Sequence, residues 1–230
     1  MLFRSGSKHV DAQNAMLVLQ MIPLVGSTDG RTQLALGREL WASGYDPTGE
    51  EYFTTYEAGY TVEVTWSPGF TSTGPINRFM IGMLVAELEF QIGSIHQAIA
   101  IVGELPLNFA TRSYRAYLLG QIGEWDAIIS LAESQVLNEN EMDTLTFIMR
   151  GIAVRETGQP LVANVYFQAA LAKRSHRMWV RAIGYMERAK SYLAAGKKPM
   201  ARKDLERVLA AEPNHPEALA LMSKLEITPS

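Results

Sequence analysis

Four glycines in this chain, Gly93, Gly123, Gly158 and Gly196, are each followed four or five residues later by an alanine that opens an apolar run: Ala98, Ala127, Ala163 and Ala201. Successive glycines lie 30, 35 and 38 residues apart, which brackets the period of about 34 residues expected of a repeated helix-turn-helix unit. A single unit of that kind cannot bury its own apolar face, so neighbouring copies must stack. This recurrence constrains the fold more than any compositional property does.

The last copy is the most complete. Tyr185, Ala189 and Tyr192 lead to Gly196, and Pro199, Ala201, Leu205 and Val208 follow before Pro213. Gly196 can take a positive φ at a helix end, and Pro199 suits the first turn of the next helix, where its missing N–H costs nothing. Ala189 and Ala201 are small where two helices cross, which lets their axes approach to about 8–10 Å. On these residues the chain resembles the tetratricopeptide repeat family. Tyr185, Ala189 and Tyr192 match the aromatic, small and second aromatic positions of that family's first helix. Gly196 matches its turn glycine, Ala201, Leu205 and Val208 the small, bulky and small positions of the second helix, and Pro213 the terminating proline. Val208 departs in being larger than the usual alanine.

Upstream copies decay. Phe147, Gly151, Gly158, Pro160, Ala163, Phe167 and Ala170 repeat the pattern, with Ser175 in the proline's place. Ala116, Leu119, Gly123 and Ala127, followed by Ile128 and Ile129, form a third copy whose turn is one residue shorter and whose second helix should end early, as the chain drifts into 135–141. Ala86, Gly93 and Ala98 form a fourth, with Glu89 in place of the second aromatic and Gly103 interrupting the following helix. The expected fold class is mostly α, a solenoid of about four such repeats, with an N-terminal helical segment and a small β-hairpin. Residues 80–225 should hold eight helices in four antiparallel pairs. The competing reading is a non-repetitive helical bundle in which Gly and Ala recur by chance. The expected division is a cap at 1–79 and the solenoid at 80–230.

The first 80 residues differ in character. Asp11–Ile22 is an apolar helical stretch stopped by Pro23, and a second helix is expected near Thr32–Ser43. Leu36, Gly37, Leu40 and Gly44 in that region echo the first helix of a repeat. Thr61–Trp66 then alternates Val62, Val64 and Trp66 with polar residues, the period of a strand. Its expected partner is Tyr52–Tyr56, with Ser67–Pro75 a loop. Val62, Val64 and Trp66 should pack on the helices, because an isolated hairpin is marginal.

Composition fits a cytoplasmic protein with one sizeable core, since 230 residues with 47% hydrophobic content need not divide further. The longest apolar run, near Ala15–Val25, is broken by Gln20 and Pro23 and is shorter than the roughly 20 residues of a membrane span. Met1-Leu2-Phe3-Arg4 lacks the apolar core of a signal peptide. With no cysteine, disulfide and thiol chemistry are excluded. His9, His96, His176 and His215 are scattered, and none has a second ligand at helical metal-site spacing. No nucleophile elbow, phosphate loop or dinucleotide glycine pattern occurs, and Gly196-Lys197-Lys198 is explained by the repeat turn. The chain therefore reads as a non-enzyme with no cofactor and no metal.

Charge is divided along the chain. Residues 1–172 carry 9 basic and 18 acidic side chains, whereas 173–207 carry 11 basic and 3 acidic. The basic segment contains Lys173, Arg174, Arg177, Arg181, Lys197, Lys198, Arg202 and Lys203, with Trp179 among them. It reads either as a solvated outer helix face or as a patch for an acidic protein, a phosphate or a nucleic acid. The overall pI near 5.9 argues against a dedicated nucleic-acid binder.

The family resemblance implies recognition of another protein, as a helix or extended peptide held in a concave groove lined by the first helices. Carried over position by position, the groove residues are Met83 and Glu87, then Tyr117 and Gln121, then Ile148, Ile152 and Arg155, then Met186 and Lys190. That set is mostly apolar and lacks the Lys and Asn cluster with which some members hold a C-terminal carboxylate. Methionines suit an adaptable surface. The expected function is a scaffold for protein–protein interaction, with nucleic-acid or anionic-partner binding through the 173–207 face as the alternative. The apolar helix Asp11–Ile22, or the Tyr52–Trp66 hairpin, is expected to pack into or across the groove, as a permanent cap or as a displaceable competitor for the partner.

Overall fold

A computed structural model of the chain describes residues 61–66, 70–75, 78–133, 144–172 and 178–227, together with Ala35, Gly37, Arg38, Trp41 and Ala42. Nine helices occur among them: α1 (Arg78–Gln91), α2 (Ile95–Glu104), α3 (Phe109–Gln121), α4 (Trp125–Glu133), α5 (Thr144–Glu156), α6 (Pro160–Ala172), α7 (Met178–Ala194), α8 (Lys198–Ala211) and α9 (Pro216–Ile227). The first eight are the expected four pairs. The ninth continues the pattern past Pro213.

The four turns are built alike. Gly93, Gly123, Gly158 and Gly196 have φ of 87°, 74°, 90° and 72°, a region costly for any residue with a side chain at Cβ. Each glycine N–H donates to the carbonyl three residues back, and the next residue's N–H donates to the carbonyl five back, as in Gly196 to Leu193 (3.0 Å) and Lys197 to Tyr192 (2.7 Å). The same pairs recur at Ser94 to Glu89, Glu124 to Leu119 and Gln159 to Val154. This double bond satisfies the last carbonyls of each first helix. The residue after the glycine then starts the second helix, its carbonyl accepting from Ala98, Ile128, Ala163 or Ala201. A two-residue turn thus reverses the chain four times.

Asn108 starts α3 by a reciprocal cap. Its Oδ1 accepts from the N–H groups of Ala110 (2.9 Å) and Thr111 (3.1 Å), while its own N–H donates to Thr111 Oγ1 (2.9 Å). α2 ends at Glu104, one residue past Gly103, where the sequence expected the interruption. Gly103 sits in the last turn, after the buried Ala98, Ile101 and Val102 have made their contacts. α4 is described as far as Glu133, and residues 134–143, where it was expected to end, lie outside the described set.

The chain forms two compact units, Met1–Leu118 and Leu119–Ser230, with the division inside α3. α1 is tied to residues before it. Glu89, fully buried, receives a two-pronged bond from the Arg38 guanidinium, with Nη2 to Oε2 at 2.7 Å. Trp41 lies against Gly82, where a Cβ would come within 2.8 Å of its ring, and the Arg78 guanidinium sits 4.1 Å from the ring centre. Arg38 therefore meets the C-terminal part of α1 and Trp41 its N-terminal part, so these upstream helical residues run antiparallel to α1.

The first unit's core gathers Ile81, Leu84, Val85 and Leu88 of α1, Ala98, Ile101 and Val102 of α2, and Tyr114 and Leu118 of α3. In the second unit one cluster joins Ile148, Val154, Ala163, Phe167, Ala170 and Val180. Another joins Met186, Ala189, Ala201, Leu205, Val208 and Ala218.

Thr61–Trp66 forms β1, but its partner differs from expectation. β2 is Phe70–Pro75, antiparallel, with Thr61 opposite Pro75 and Trp66 opposite Phe70. The predicted loop Ser67–Pro75 is thus partly strand. A connection of three residues containing Pro68 and Gly69 closes more readily than a longer one, and Phe70, Thr71 and Thr73 suit a pleated strand. Tyr52–Tyr56 and the predicted helix Asp11–Ile22 lie outside the described residues, as do the side-chain contacts of Val62, Val64 and Trp66.

Candidate partner-binding faces

In the first unit the predicted groove positions are Met83, Glu87 and Tyr117. Met83 is wholly buried and belongs to the core. Glu87 is buried as well, accepting from the Tyr114 hydroxyl at 2.7 Å and from Gln91 Nε2 at 2.9 Å. Burial, and then the Glu87 charge beside it, holds the Tyr114 hydroxyl far above its ordinary pKa, so it stays a donor. Tyr117 is half-buried, its ring edge-on to Phe90 at 5.8 Å. Its hydroxyl is also raised, by burial and then by Glu87.

In the second unit Ile148 and Met186 are buried in the cores. Their side chains point between helices, so neither they nor Met83 can touch a partner in this conformation. Sequence spacing placed them on the first helices but could not distinguish the core face from the open one. Gln121 is exposed, and Ile152, Arg155 and Lys190 are partly exposed.

Arg155 and Lys190 are joined by Glu187, a carboxylate that the sequence reading left out. Arg155 Nη1 donates to Glu187 Oε2 at 2.7 Å, and Lys190 Nζ contacts Glu187 Oε1 at 2.7 Å and Glu217 Oε1 at 2.9 Å. Arg155 also reaches Glu156 at 2.8 Å. The ladder Glu156, Arg155, Glu187, Lys190, Glu217 therefore links α5, α7 and α9. Burial disfavours the charge on Arg155 and Lys190, yet Glu187 and the outer carboxylates more than offset it, and both groups are held above their ordinary values. The expected apolar stripe is, in this unit, a charged one beside Ile152. Glu187 stands three residues before Lys190, a helical pairing distance that could have flagged it.

Between α7 and α8, Arg188 makes a two-pronged bond to buried Asp204, at 2.7 and 2.8 Å, and Arg207 adds a third donor at 3.0 Å. Arg188 and Arg207 also lie over the Tyr185 ring, at 5.7 and 5.0 Å from its centre. These cations belong to the repeat's own packing.

Of the basic segment, Lys173, Arg174 and Arg177 lie outside the described residues. Arg181 donates to the Tyr185 hydroxyl at 3.3 Å. Lys197, Lys198 and Lys203 are exposed at the start of α8, and Arg202 is partly buried there. Among the described residues no three ligating side chains gather as a metal site, and no helix is long and apolar enough to cross a membrane.

A surface that sequence reasoning missed lies on α6. Leu161, Val162 and Val165 are 55%, 45% and 64% exposed. The available signal was the absence of any charged residue in Pro160–Ala172.

No family model matches the chain, and neither does any curated protein. Solved structures do. The N-terminal domain of the EccA1 ATPase from the ESX-1 secretion system of Mycobacterium tuberculosis is similar over 94% of this chain and 90% of its own, with a TM-score of 0.60 and 13% identity. A thermophilic TPR (tetratricopeptide repeat) protein in Thermus thermophilus matches over 95% of this chain and all of its own, with a TM-score of 0.54 and 12% identity. The APC/C hetero-tetramer Cut9-Hcn1 matches over 94% of this chain and 40% of that one, with a TM-score of 0.55 and 15% identity. Identities this low establish the fold alone.

Proposed function

Because the chain has the tetratricopeptide-repeat fold, we propose that it is a non-catalytic scaffold that binds a peptide or helix of another protein along the exposed face of its first helices. In the second unit that face offers Ile152 as the apolar contact, flanked by Arg155 and Lys190. Tyr117 in the first unit and Gln121 in the second are positions of the same class, each taken within its own unit. The carrying observation is the Glu156-to-Glu217 ladder, which fixes both cations in place across three helices. A partner meets charges whose side-chain entropy is already spent, which favours specificity over adaptability. Two of the similar structures are parts of larger assemblies, a secretion system and a hetero-tetramer, and a scaffold role agrees with that. A cytoplasmic setting is part of the same proposal.

Affinity capture from native lysate tests this reading. Three baits are compared: the full chain, an Ile152→Glu/Lys190→Glu variant, and an Arg174→Glu/Arg177→Glu/Lys198→Glu variant. A protein that survives a high-salt wash and is lost only from the second bait supports the scaffold. Recovery dominated by nucleic acid or an acidic protein, lost only from the third bait and released by salt, refutes it.

A further inference from the structure

We propose that the occupant of the second unit's first-helix face is a basic segment of a partner protein. It seats an apolar side chain against Ile152 and Ile183 and sets Lys or Arg side chains on Glu156 and Glu217. The inference rests on the scaffold reading and gives its partner a chemistry.

The ladder decides the sign of that partner by which of its groups are already engaged. Arg155 uses all three of its nitrogens. Nη1 donates to Glu187 Oε2 at 2.7 Å and to the Glu187 carbonyl at 3.2 Å, while Nε and Nη2 reach Glu156 Oε1 at 2.9 and 2.8 Å. Lys190 Nζ is shared between Glu187 Oε1 at 2.7 Å and Glu217 Oε1 at 2.9 Å, and an ammonium has only three protons. Both carboxylate oxygens of Glu187 are therefore bonded within the ladder. Oε2 of Glu156 and Oε2 of Glu217 have no partner among the described residues.

Burial follows the same division. The side chains of Glu187, Arg155 and Lys190 are 11%, 14% and 28% exposed, whereas those of Glu156 and Glu217 are 40% and 50% exposed. A group arriving at this face meets the two outer carboxylates first. An acidic segment must displace a bond that Arg155 or Lys190 already makes, and it does so beside like charges. A basic segment adds bonds to open lone pairs and displaces nothing. Lys224, on the same side of α9 two turns beyond Glu217 and so about 10 Å along its axis, bounds the acidic part of the face.

The apolar part is continuous with the charged one. Ile152 stands three residues before Arg155 and Ile183 four before Glu187, so both lie on the ladder's side of their helices. Each is partly exposed and packs on the core cluster beneath. α5 and α7 approach closely there, since a Cβ on Gly184 would lie 3.5 Å from Ile148 Cδ1. A nucleic acid is a poor occupant, because its phosphates would face the outer carboxylates. A second copy could offer its exposed Lys197, Lys198 and Lys203, but that contact is head-to-tail and chains copies together instead of closing a pair.

The probe is a fluorescein-labelled peptide of about twelve residues with leucine at its centre, two lysines on either side, and serine and glycine elsewhere. Extended, it spans about 40 Å, enough to cross three helices set about 8–10 Å apart. A counterpart carries glutamate in place of lysine. Titrated with the full chain, the lysine peptide should bind at least about tenfold tighter than the glutamate one. Glu156→Gln/Glu217→Gln should weaken it by about three- to tenfold and flatten its salt dependence, with each single change falling between. Glu124→Gln/Glu206→Gln removes two exposed carboxylates outside the ladder and should leave the affinity within about twofold. Equal affinity for the two peptides, no binding of the lysine peptide, or equal losses in the two double variants overturns the proposal. So does a self-association that Glu156→Gln/Glu217→Gln abolishes, which would make a second copy the occupant. If the double change costs helical circular dichroism, Glu156→Gln alone decides by the same criterion. A tighter glutamate peptide whose binding Ile152→Glu abolishes leaves the scaffold reading standing without this partner. Lysine-peptide binding that Ile152→Glu leaves unchanged removes the face itself, and the scaffold reading falls with it.

Discussion

Gly151 on α5 sits where a Cβ would lie 2.6, 2.8 and 2.9 Å from Cε1, Cζ and Cδ1 of Phe167, three atoms of a fully buried ring on α6. At the equivalent crossing of the last repeat the pair is Ala189 and Leu205, also fully buried. The two crossings divide a similar volume differently, a glycine against an aromatic ring and an alanine against a leucine. Gly151→Ala should therefore do two opposed things. It gains about 1 kcal/mol of helix propensity, and it overpacks the crossing at a cost of about 1–3 kcal/mol because a ring edge cannot yield as a flexible chain end does. The expected net loss is about 1 kcal/mol, or about 4 °C in the melting midpoint of a unit this size. Phe167→Leu alone should cost about 1 kcal/mol through lost contacts and a small void. Combined, the two changes rebuild the Ala–Leu crossing, so their losses should fall short of additive by about 1 kcal/mol. Urea unfolding of the four proteins, followed by circular dichroism, measures each midpoint and the coupling. A Gly151→Ala protein more stable than the parent, or strictly additive losses, would show that the α5–α6 approach is looser than the distances state.

Three further outcomes follow from single groups. Tyr114 is held far above its ordinary value of 10 by burial, so the stability it contributes is complete below that pH and declines as pH rises beyond it; the alkaline loss of midpoint should be reduced in Tyr114→Phe. Asn108→Ala should cost about 1 kcal/mol in urea unfolding, since the N–H groups of Ala110 and Thr111 lose their acceptor, and Asn108→Ser should restore much of it. Both amide atoms of Asn164 are sealed from water without a hydrogen-bond partner, so Asn164→Leu should raise the thermal midpoint by an amount equivalent to about 1 kcal/mol. A lowered midpoint would mean that the amide is satisfied in solution.

What the sequence determined was the local grammar. Gly93, Gly123, Gly158 and Gly196 were legible because a positive φ at a helix end is a property of one residue, and the alanines after them because a small side chain at a crossing is required wherever the crossing occurs. From these the repeat, the four helix pairs and the fold class follow. Gly103 was legible on the same ground, as the helix ends one residue beyond it.

Tertiary structure alone decided which face of each first helix is open. Ile148 and Met186 are buried whereas Ile152 and Lys190, four residues on and about 40° round the same helices, are partly exposed, and only the neighbouring helices say which is which. The links from Glu187 to Arg155 and from Lys190 to Glu217 join residues 27 to 32 apart in the chain, as Arg38 and Glu89 are joined across 51. Long side chains find such partners through packing, and no spacing rule encodes them. Pairing of β1 with β2, rather than with an upstream segment, was likewise settled by the hydrogen-bond ladder between the strands. The exposed ridge on α6 needed both sources: sequence shows that the helix lacks charge, and only the packed fold shows that Leu161, Val162 and Val165 are the side chains left outside.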